Sequence, residues 1–528
     1  MGDRWPATLS YVLFALLVWP LAAFGGRSAS TAVAFGVAAV IIATFASLRL
    51  GGRAAPGPAA SAERRLGLAI LALLCVILFE LVPLPAPIVA VVSPNARLVR
   101  STLSVDGQPP GAWYPVTISR SDTGWAWIVT AGAAAMGWTA LSLFRRGGVR
   151  KTVRLVSAAG FAVSLLAIAQ AATAGRAIYW RFTTEHEGPL PFGPFVNRNH
   201  FATWVIMALP VCLGYIAARA GAGTDGPSHV STRARMVRAI DPRTAWLVAA
   251  GATMLVALLL SLSRSGTLAL GVSAATTAML CRQRLDARRR RRVLALTAVV
   301  VLVGLAWADI PALRERLAGA QTGVANRVTI WRETLPIVRD FWLTGTGAGT
   351  YQRAMFVYQR SSRKVYFNQA HNHHLQAAAE GGLLLVGAAL AALVAFLRAA
   401  RTRLRNDASG LFWIRAGAAC GLGAVALQSV WETGLVMPAN ASLAAVLAAL
   451  VVHERAGAPS TTLPSPSWHG GRTGTAAQHG TRRRTGGACS SPVGTGVRGG
   501  SGGDRGRGGC AASRTLPPAS WVECPGGT

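Results

Sequence analysis

Acidic side chains are scarce in this chain. Twenty Asp and Glu stand against 53 Lys and Arg in 528 residues, and charged residues of both signs make up only 14% of it. A soluble domain needs more charged surface than that. Cysteine is sparse as well, at seven. Cys75, Cys212, Cys281 and Cys420 lie in or at the ends of apolar runs, and Cys489, Cys510 and Cys524 lie near the C-terminus. None falls in a candidate extracytoplasmic loop and no CxxC pair occurs, which argues against structural disulfides and against thiolate metal or redox work. No unit of 20 to 50 residues recurs, so a repeat architecture is not proposed. The Asp-x-Asp pair that would support metal-assisted use of a sugar nucleotide is missing too, as is the HExxH arrangement of a zinc hydrolase.

What the chain has in abundance is apolar length. Hydrophobic residues make up 52% of it, mean hydropathy is +0.39, and runs near 20 residues recur, each able to cross a hydrocarbon core of roughly 30 Å as a helix. Spans are expected near 9–25, 30–48, 66–85, 123–144, 155–175, 200–218, 245–262, 266–281, 293–309, 382–398, 410–430 and 434–452. The fold expected is therefore all-α, a polytopic membrane protein of about twelve transmembrane helices. The first run lacks a clear small-residue cleavage site and is followed at once by another, so it reads as a span and not as a signal peptide.

The formal charge of +33 would suggest nucleic acid in a soluble protein. Here the basic residues fall in short blocks between apolar runs, as topology signals do, and no nucleic-acid partner is expected. With both termini in the cytoplasm, the loops Arg49–Arg65, Arg145–Arg154, Arg219–Arg243, Arg282–Arg292 and Arg398–Arg405 lie inside and hold 25 Lys and Arg. The short loops opposite hold Arg27, Arg97, Arg100, Arg120, Arg176, Arg181, Arg198 and Arg264, so the positive-inside rule supports this orientation. One long extracytoplasmic loop, about 310–381, carries more charge than its neighbours; loops of that length translocate regardless. Residues 1–455 thus form the membrane domain. The remainder, 456–528, changes to Gly, Ser, Thr, Pro and Arg and reads as a disordered cytoplasmic tail.

Polar residues that could carry chemistry gather in three places. The first is Phe192-Gly-Pro-Phe-Val-Asn-Arg-Asn-His200, at the outer entrance to the sixth span. Asn197, Arg198, Asn199 and His200 collect donors at a helix start, where free backbone N–H groups and the helix dipole add to the Arg charge and favour an anion. An interfacial cap with a snorkelling Arg is the plainer reading. The second is Ser261-Leu-Ser-Arg-Ser-Gly266. Ser263 and Arg264 sit between two spans with almost no polar linker, and an Arg at the membrane surface is costly unless it snorkels or finds a partner; a tight hairpin relieved by Ser and Gly is the alternative. The third is His371-Asn-His-His-Leu-Gln-Ala-Ala-Ala-Glu-Gly-Gly382. In a helix, His373, Gln376 and Glu380 share a face, with His371 and Asn372 at its start. A neutral imidazole there can accept a proton from a sugar hydroxyl; metal binding and a purely interfacial role are the competing readings. Between the second and third lie Arg327-Val-Thr-Ile-Trp331, with apolar residues at helical spacing, and the Gly-rich Thr344-Gly-Thr-Gly-Ala-Gly-Thr-Tyr351. That turn lacks the Lys and Ser or Thr of a P-loop, and a flexible loop is its ordinary reading.

In order and spacing these elements resemble the O-antigen ligase and polymerase family of bacterial membrane glycosyltransferases. The resemblance runs over roughly residues 190–390 and rests on Asn197 to His200, Ser263 to Gly266, Arg327 to Trp331 with Gly345 to Gly349, and His371-Asn372 followed by Gln376, Glu380 and Gly381. Two positions depart from the family pattern: His374 stands where an aromatic residue is usual, and Phe341-Trp342 replaces a His-Pro pair.

The resemblance implies an inner-membrane enzyme that takes a glycan from an undecaprenyl-pyrophosphate carrier at the outer face and passes it to a glycan or lipid-linked acceptor, without metal or cofactor. It implies that Arg198 and Arg264 hold the pyrophosphate and that His371 serves as base toward the acceptor hydroxyl or orients it. Asn197, Asn199, His200, Ser263, Arg327, Tyr351, Asn372, His374 and Glu380 are the substrate-binding candidates that go with them. Bidentate Arg–phosphate bonds suit charge developing on a departing pyrophosphate. Two other classes compete. A transporter of an anionic solute should place ionisable residues near mid-span, whereas here Glu80 and Arg415 lie toward span ends and Glu432 lies in a short connection. An envelope scaffold would tolerate loss of the candidate Arg and His residues.

Overall fold

A computed structural model describes residues 5–50, 58–104, 111–174, 177–183, 191–222, 241–306, 327–361 and 366–454. The stretch read as a low-complexity tail lies outside them. The chain is mostly helical, and each of the twelve expected spans falls on a helix. In chain order these are α1 (Trp5–Ala22), α2 (Ala29–Leu50), α3 (Pro58–Phe79), then the short α4 (Ala86–Val92) and α5 (Ala96–Leu103), α6 (Arg120–Arg145), α7 (Val149–Thr173) and α8 (Arg198–Ala222). After them come α9 (Pro242–Leu260), α10 (Arg264–Leu280), α11 (Ala287–Ala306), α12 (327–340), α13 (Tyr351–Tyr358), α14 (His373–Asn406), α15 (Leu411–Gln428) and α16 (Pro438–Val452).

Seven of these helices, α2, α6, α7, α8, α9, α14 and α15, are long and apolar enough to cross a membrane. The other five fall short for visible reasons. α10 and α16 have 17 and 15 residues, α1 is among the shorter apolar helices, and α3 and α11 open in charged stretches.

α8 is the centre of the bundle. Phe201, Ala202, Trp204 to Ala208, Val211 and Cys212 are all buried, so between Phe201 and Cys212 apolar residues cover this helix on every side, the pattern of a buried helix. α15 lies along it, and α7, α9 and α10 also pack against it. The approach of α15 depends on two small residues four apart. A Cβ on Gly421 would stand 2.9 Å from Met207 Cα, and one on Gly417 would strike the Pro210 carbonyl. This is the small-xxx-small arrangement by which helices meet without a hydrophobic driving force. α6 packs against α2 and α16, and α14 flanks α3.

A second, smaller core sits at one end. It is built from α4, α5, α12, α13 and a two-stranded antiparallel pairing of β1 (Pro83–Pro85) with β2 (Trp113–Pro115). Val89, Val99, Tyr114, Ile337, Phe341, Tyr351 and Met355 are its buried members. Much of the long loop expected near 310–381 is therefore helical and packed where it is described.

α14 crosses from this layer into the bundle, and it breaks on the way. Gly382 has φ 55° and ψ −155°, while the amides of Leu383 and Leu384 donate to the carbonyls of Trp342 and Leu343. The span's first orphan N–H groups are thus satisfied by the preceding loop. It begins nine residues earlier than the apolar pattern predicts because Asn372 caps a polar first segment.

Replacing Gly421 with Leu puts a side chain where the Met207 backbone stands. We expect a loss of about 3 kcal/mol from overpacking, read as a lower thermal unfolding midpoint of the detergent-solubilised protein. Gly387→Leu on α14, where a Cβ would meet nothing within 4 Å, should leave that midpoint in place.

Candidate functional site

Three of the helices named above begin at the same end of the bundle, and each begins with a local capping interaction. At α8 the Asn197 side-chain oxygen accepts from the Asn199 amide at 2.9 Å. At α10 Ser263 Oγ accepts from the Gly266 amide at 3.4 Å, and at α14 Asn372 Oδ1 accepts from the Leu375 amide at 3.0 Å. Polar residues at the sequence clusters are thus, in part, helix caps. The first helical residues behind these caps are Arg198 and Arg264. A cation at a helix N-terminus opposes the dipole, which favours negative charge there. Two such placements occur at this end of the bundle, at the starts of α8 and α10.

The three starts meet on the C-terminal end of α15. A Cβ on Gly266 would contact Ala202 of α8 at 3.0 Å and Gln428 Nε2 at 3.4 Å, which sets the start of α10 against the first turns of α8. Thr203 Oγ1 donates to Gln428 Oε1 at 2.8 Å. The His373 amide donates to the Ser429 carbonyl at 2.8 Å, and His374 Nε2 stands 3.5 Å from the Ala426 carbonyl.

Four residues past Gln428 lies Glu432, the residue that the sequence motifs did not single out. Its carboxylate is buried. Oε1 accepts from Asn199 Nδ2 at 2.6 Å and from Arg327 Nη2 at 2.9 Å. Oε2 stands 3.8 Å from His371 Nδ1, and among the described residues both of those atoms are buried without a hydrogen-bond partner. His200 Nε2 is buried and unpartnered in the same way. Buried polar atoms in native proteins are ordinarily satisfied. Three unsatisfied ones, an acid oxygen and two imidazole nitrogens, occur on Glu432, His371 and His200. His371 itself has φ 47° and Leu262, before Ser263, has φ 54°; backbone held in this left-handed region is uncommon for residues other than glycine and costs energy. Arg264 is exposed, and among the described residues it makes no ion pair or hydrogen bond through its guanidinium.

The structure thus brings Asn197, Arg198, Asn199, His200, Ser263, Arg264, Arg327, His371, Asn372 and His374 to one end of the bundle. Tyr351 and Glu380 lie elsewhere, inside the junction between the outer layer and the bundle. The Tyr351 hydroxyl pairs with Thr334 Oγ1 at 2.8 Å, and burial drives its pKa upward. Glu380 accepts from the amides of Gly349 at 2.9 Å and Tyr351 at 3.2 Å, and from Gln376 Nε2 at 3.0 Å. From the other side Glu80 accepts from the Ala348 amide at 2.8 Å. The Gly-rich turn is therefore clamped between two carboxylates and is no flexible loop. Gly345 and Gly347 have φ 66° and 107°, and a Cβ on either would run into the Glu380 backbone or the Thr117 side chain. Its amides at 348, 349 and 351 are engaged by protein and are not presented to a phosphate.

Arg327→Met would leave the buried Glu432 carboxylate without its guanidinium, costing about 3 kcal/mol by the usual penalty for a broken buried pair. The double variant Arg327→Met/Glu432→Gln should recover part of that loss in the thermal unfolding midpoint.

No curated protein matches the chain. Residues 249–390 match the family described as O-antigen ligase. The matched segment holds Ser263 to Gly266, Arg327 and His371 to Gly381, while Asn197 to His200 and Glu432 fall outside it. Over that segment the chain is similar to the O-antigen ligase and polymerase family, the resemblance that its ordered polar clusters carry.

Proposed function

We propose that this chain transfers a glycan from an undecaprenyl-pyrophosphate carrier to an acceptor sugar, in the manner of an O-antigen ligase or a polysaccharide polymerase. The observation that carries the reading is that α8 and α10, whose first residues are Arg198 and Arg264, begin at the end of the bundle where Glu432 stands 3.8 Å from His371. Family similarity over residues 249–390 supports the same chemistry.

In the proposed reaction the bond between the anomeric carbon and the pyrophosphate oxygen breaks, and its electrons remain on the pyrophosphate. The guanidinium groups of Arg198 and Arg264, together with the N-terminal dipoles of α8 and α10, meet that charge as it develops. The acceptor hydroxyl forms the new bond to the anomeric carbon and gives its proton to His371. Glu432, beside Nδ1, favours a proton on that nitrogen and leaves Nε2 as the base; a carboxylate that orients an imidazole in this way also stabilises the imidazolium that results. The leaving-group charge is met by fixed cations, so the reading requires no metal ion.

We place the site on the extracytoplasmic side of the inner membrane in a twelve-span topology with both termini inside. Support comes from the charge at the two ends of the bundle. The end opposite the site carries Arg145, Arg146, Arg150, Lys151, Arg154, Arg219, Arg243, the Arg282–Arg292 run and Arg398 to Arg405, the bias that cytoplasmic loops show.

Arg264→Ala and Arg198→Ala are each expected to lower transfer from a lipid-pyrophosphate donor by about 10² to 10³-fold, the scale for removing one donor from a developing anion, with Lys retaining part of the rate. Full activity of Arg264→Ala in reconstituted vesicles would remove that residue from the site. A deletion strain separates the two versions of the reaction: long polymer that is made but not attached indicates ligation, and single repeat units indicate polymerisation.

A further inference from the structure

At the basic end of the bundle a groove of about 460 Å³ runs between α3 and α14. Ala62, Arg65 and Ala69 line it from α3, and Leu390, Ala391, Val394, Ala395 and Arg398 line it from α14. Spacings of three and four put each set on one helix face. Small side chains at 62, 69, 391 and 395 open the groove, and the two arginines stand at its basic end. We infer that it binds an anionic phospholipid of the leaflet at that end, with the headgroup phosphate held by Arg65 and Arg398 and an acyl chain along Ala69, Leu390, Ala391 and Val394.

Three observations carry the assignment. First, the cations are available. Among the described residues the guanidinium groups of Arg65 and Arg398 make no hydrogen bond or ion pair. The acid nearest in sequence, Glu63, is buried and already engaged by Arg145 and, at 3.9 Å, by Arg403. Second, the groove opens onto lipid and not onto protein. α14 is the least buried of the seven long apolar helices, with 17% of its apolar window covered, and Leu390, Leu393, Val394 and Leu397 are exposed along it. Third, the shape matches the charge. From Arg398 to Leu390 the helix descends about 12 Å at 1.5 Å per residue, so a phosphate at the arginines has an apolar trough directly below it. Two guanidiniums above a gap between spans are the chemistry by which membrane proteins select anionic headgroups over zwitterionic ones.

The test uses the purified full-length protein in mixed micelles containing phosphatidylglycerol or phosphatidylcholine, with retained lipid measured by mass spectrometry after delipidating washes. Wild type should retain phosphatidylglycerol in preference to phosphatidylcholine. Arg65→Gln/Arg398→Gln should weaken that retention roughly thirtyfold. Ala391→Phe, which fills the trough with both arginines in place, should also abolish it. Arg64→Gln/Arg405→Gln, which removes two neighbouring exposed charges outside the groove, should leave it unchanged. Equal retention of the two lipids by wild type, undiminished phosphatidylglycerol in both groove variants, or displacement of the lipid by inorganic phosphate alone would overturn the assignment.

Discussion

The carboxylate of Glu432 is buried at the end of the bundle where α8, α10 and α14 begin, and the placement of Asn199, Arg327 and His371 follows from it. One oxygen fixes the first turn of α8 and Arg327 of α12, and the other faces an imidazole. A buried carboxylate is costly unless it is paired and hydrogen-bonded, and Asn199 and Arg327 supply both. Take the acid away and three chain segments far apart in sequence lose the group that orients them toward one another. The arginines at 198 and 264 are held differently, by helix starts that cannot shift without moving α8 or α10 in the core.

The same economy governs the junction above the bundle. A chain with so few acids uses several of them as internal ties. Glu80 and Glu380 hold the Gly-rich turn through its amides, Glu63 joins α3 to the arginines of neighbouring helices, and Asp407 pairs with the buried Arg415. Each of these acids is itself buried. The acidic residues thus fix the geometry in which the basic ones act.

Much of this could be read in the sequence because its determinants are local. A run of twenty apolar residues is a contiguous property, and each expected span has its helix. The three polar clusters are legible for the same reason: Asn197, Ser263 and Asn372 cap helix starts by accepting from amides two or three residues downstream. Glu432 could not be read that way. Its partners lie 105 and 233 positions away, and a single acid in a short connection carries no periodicity or motif. The Gly-rich turn reads as a flexible loop on similar grounds, since the acids that clamp it come from α14 and from a residue 268 positions back. Helix α14 starts earlier than its apolar run because its first segment packs on the outer layer, which hydropathy alone does not register.

Two guanidiniums at the heads of helices carry one further implication for turnover. Cleavage of a sugar–pyrophosphate bond leaves the carrier with more negative charge than the intact donor had. A receptor whose cations are rigidly fixed attracts the more highly charged species more strongly, so on the proposed reaction the spent carrier is held harder than the incoming one. Turnover would then be governed by how readily the lipid departs, and screening of that attraction at the aqueous surface would set the pace of the cycle.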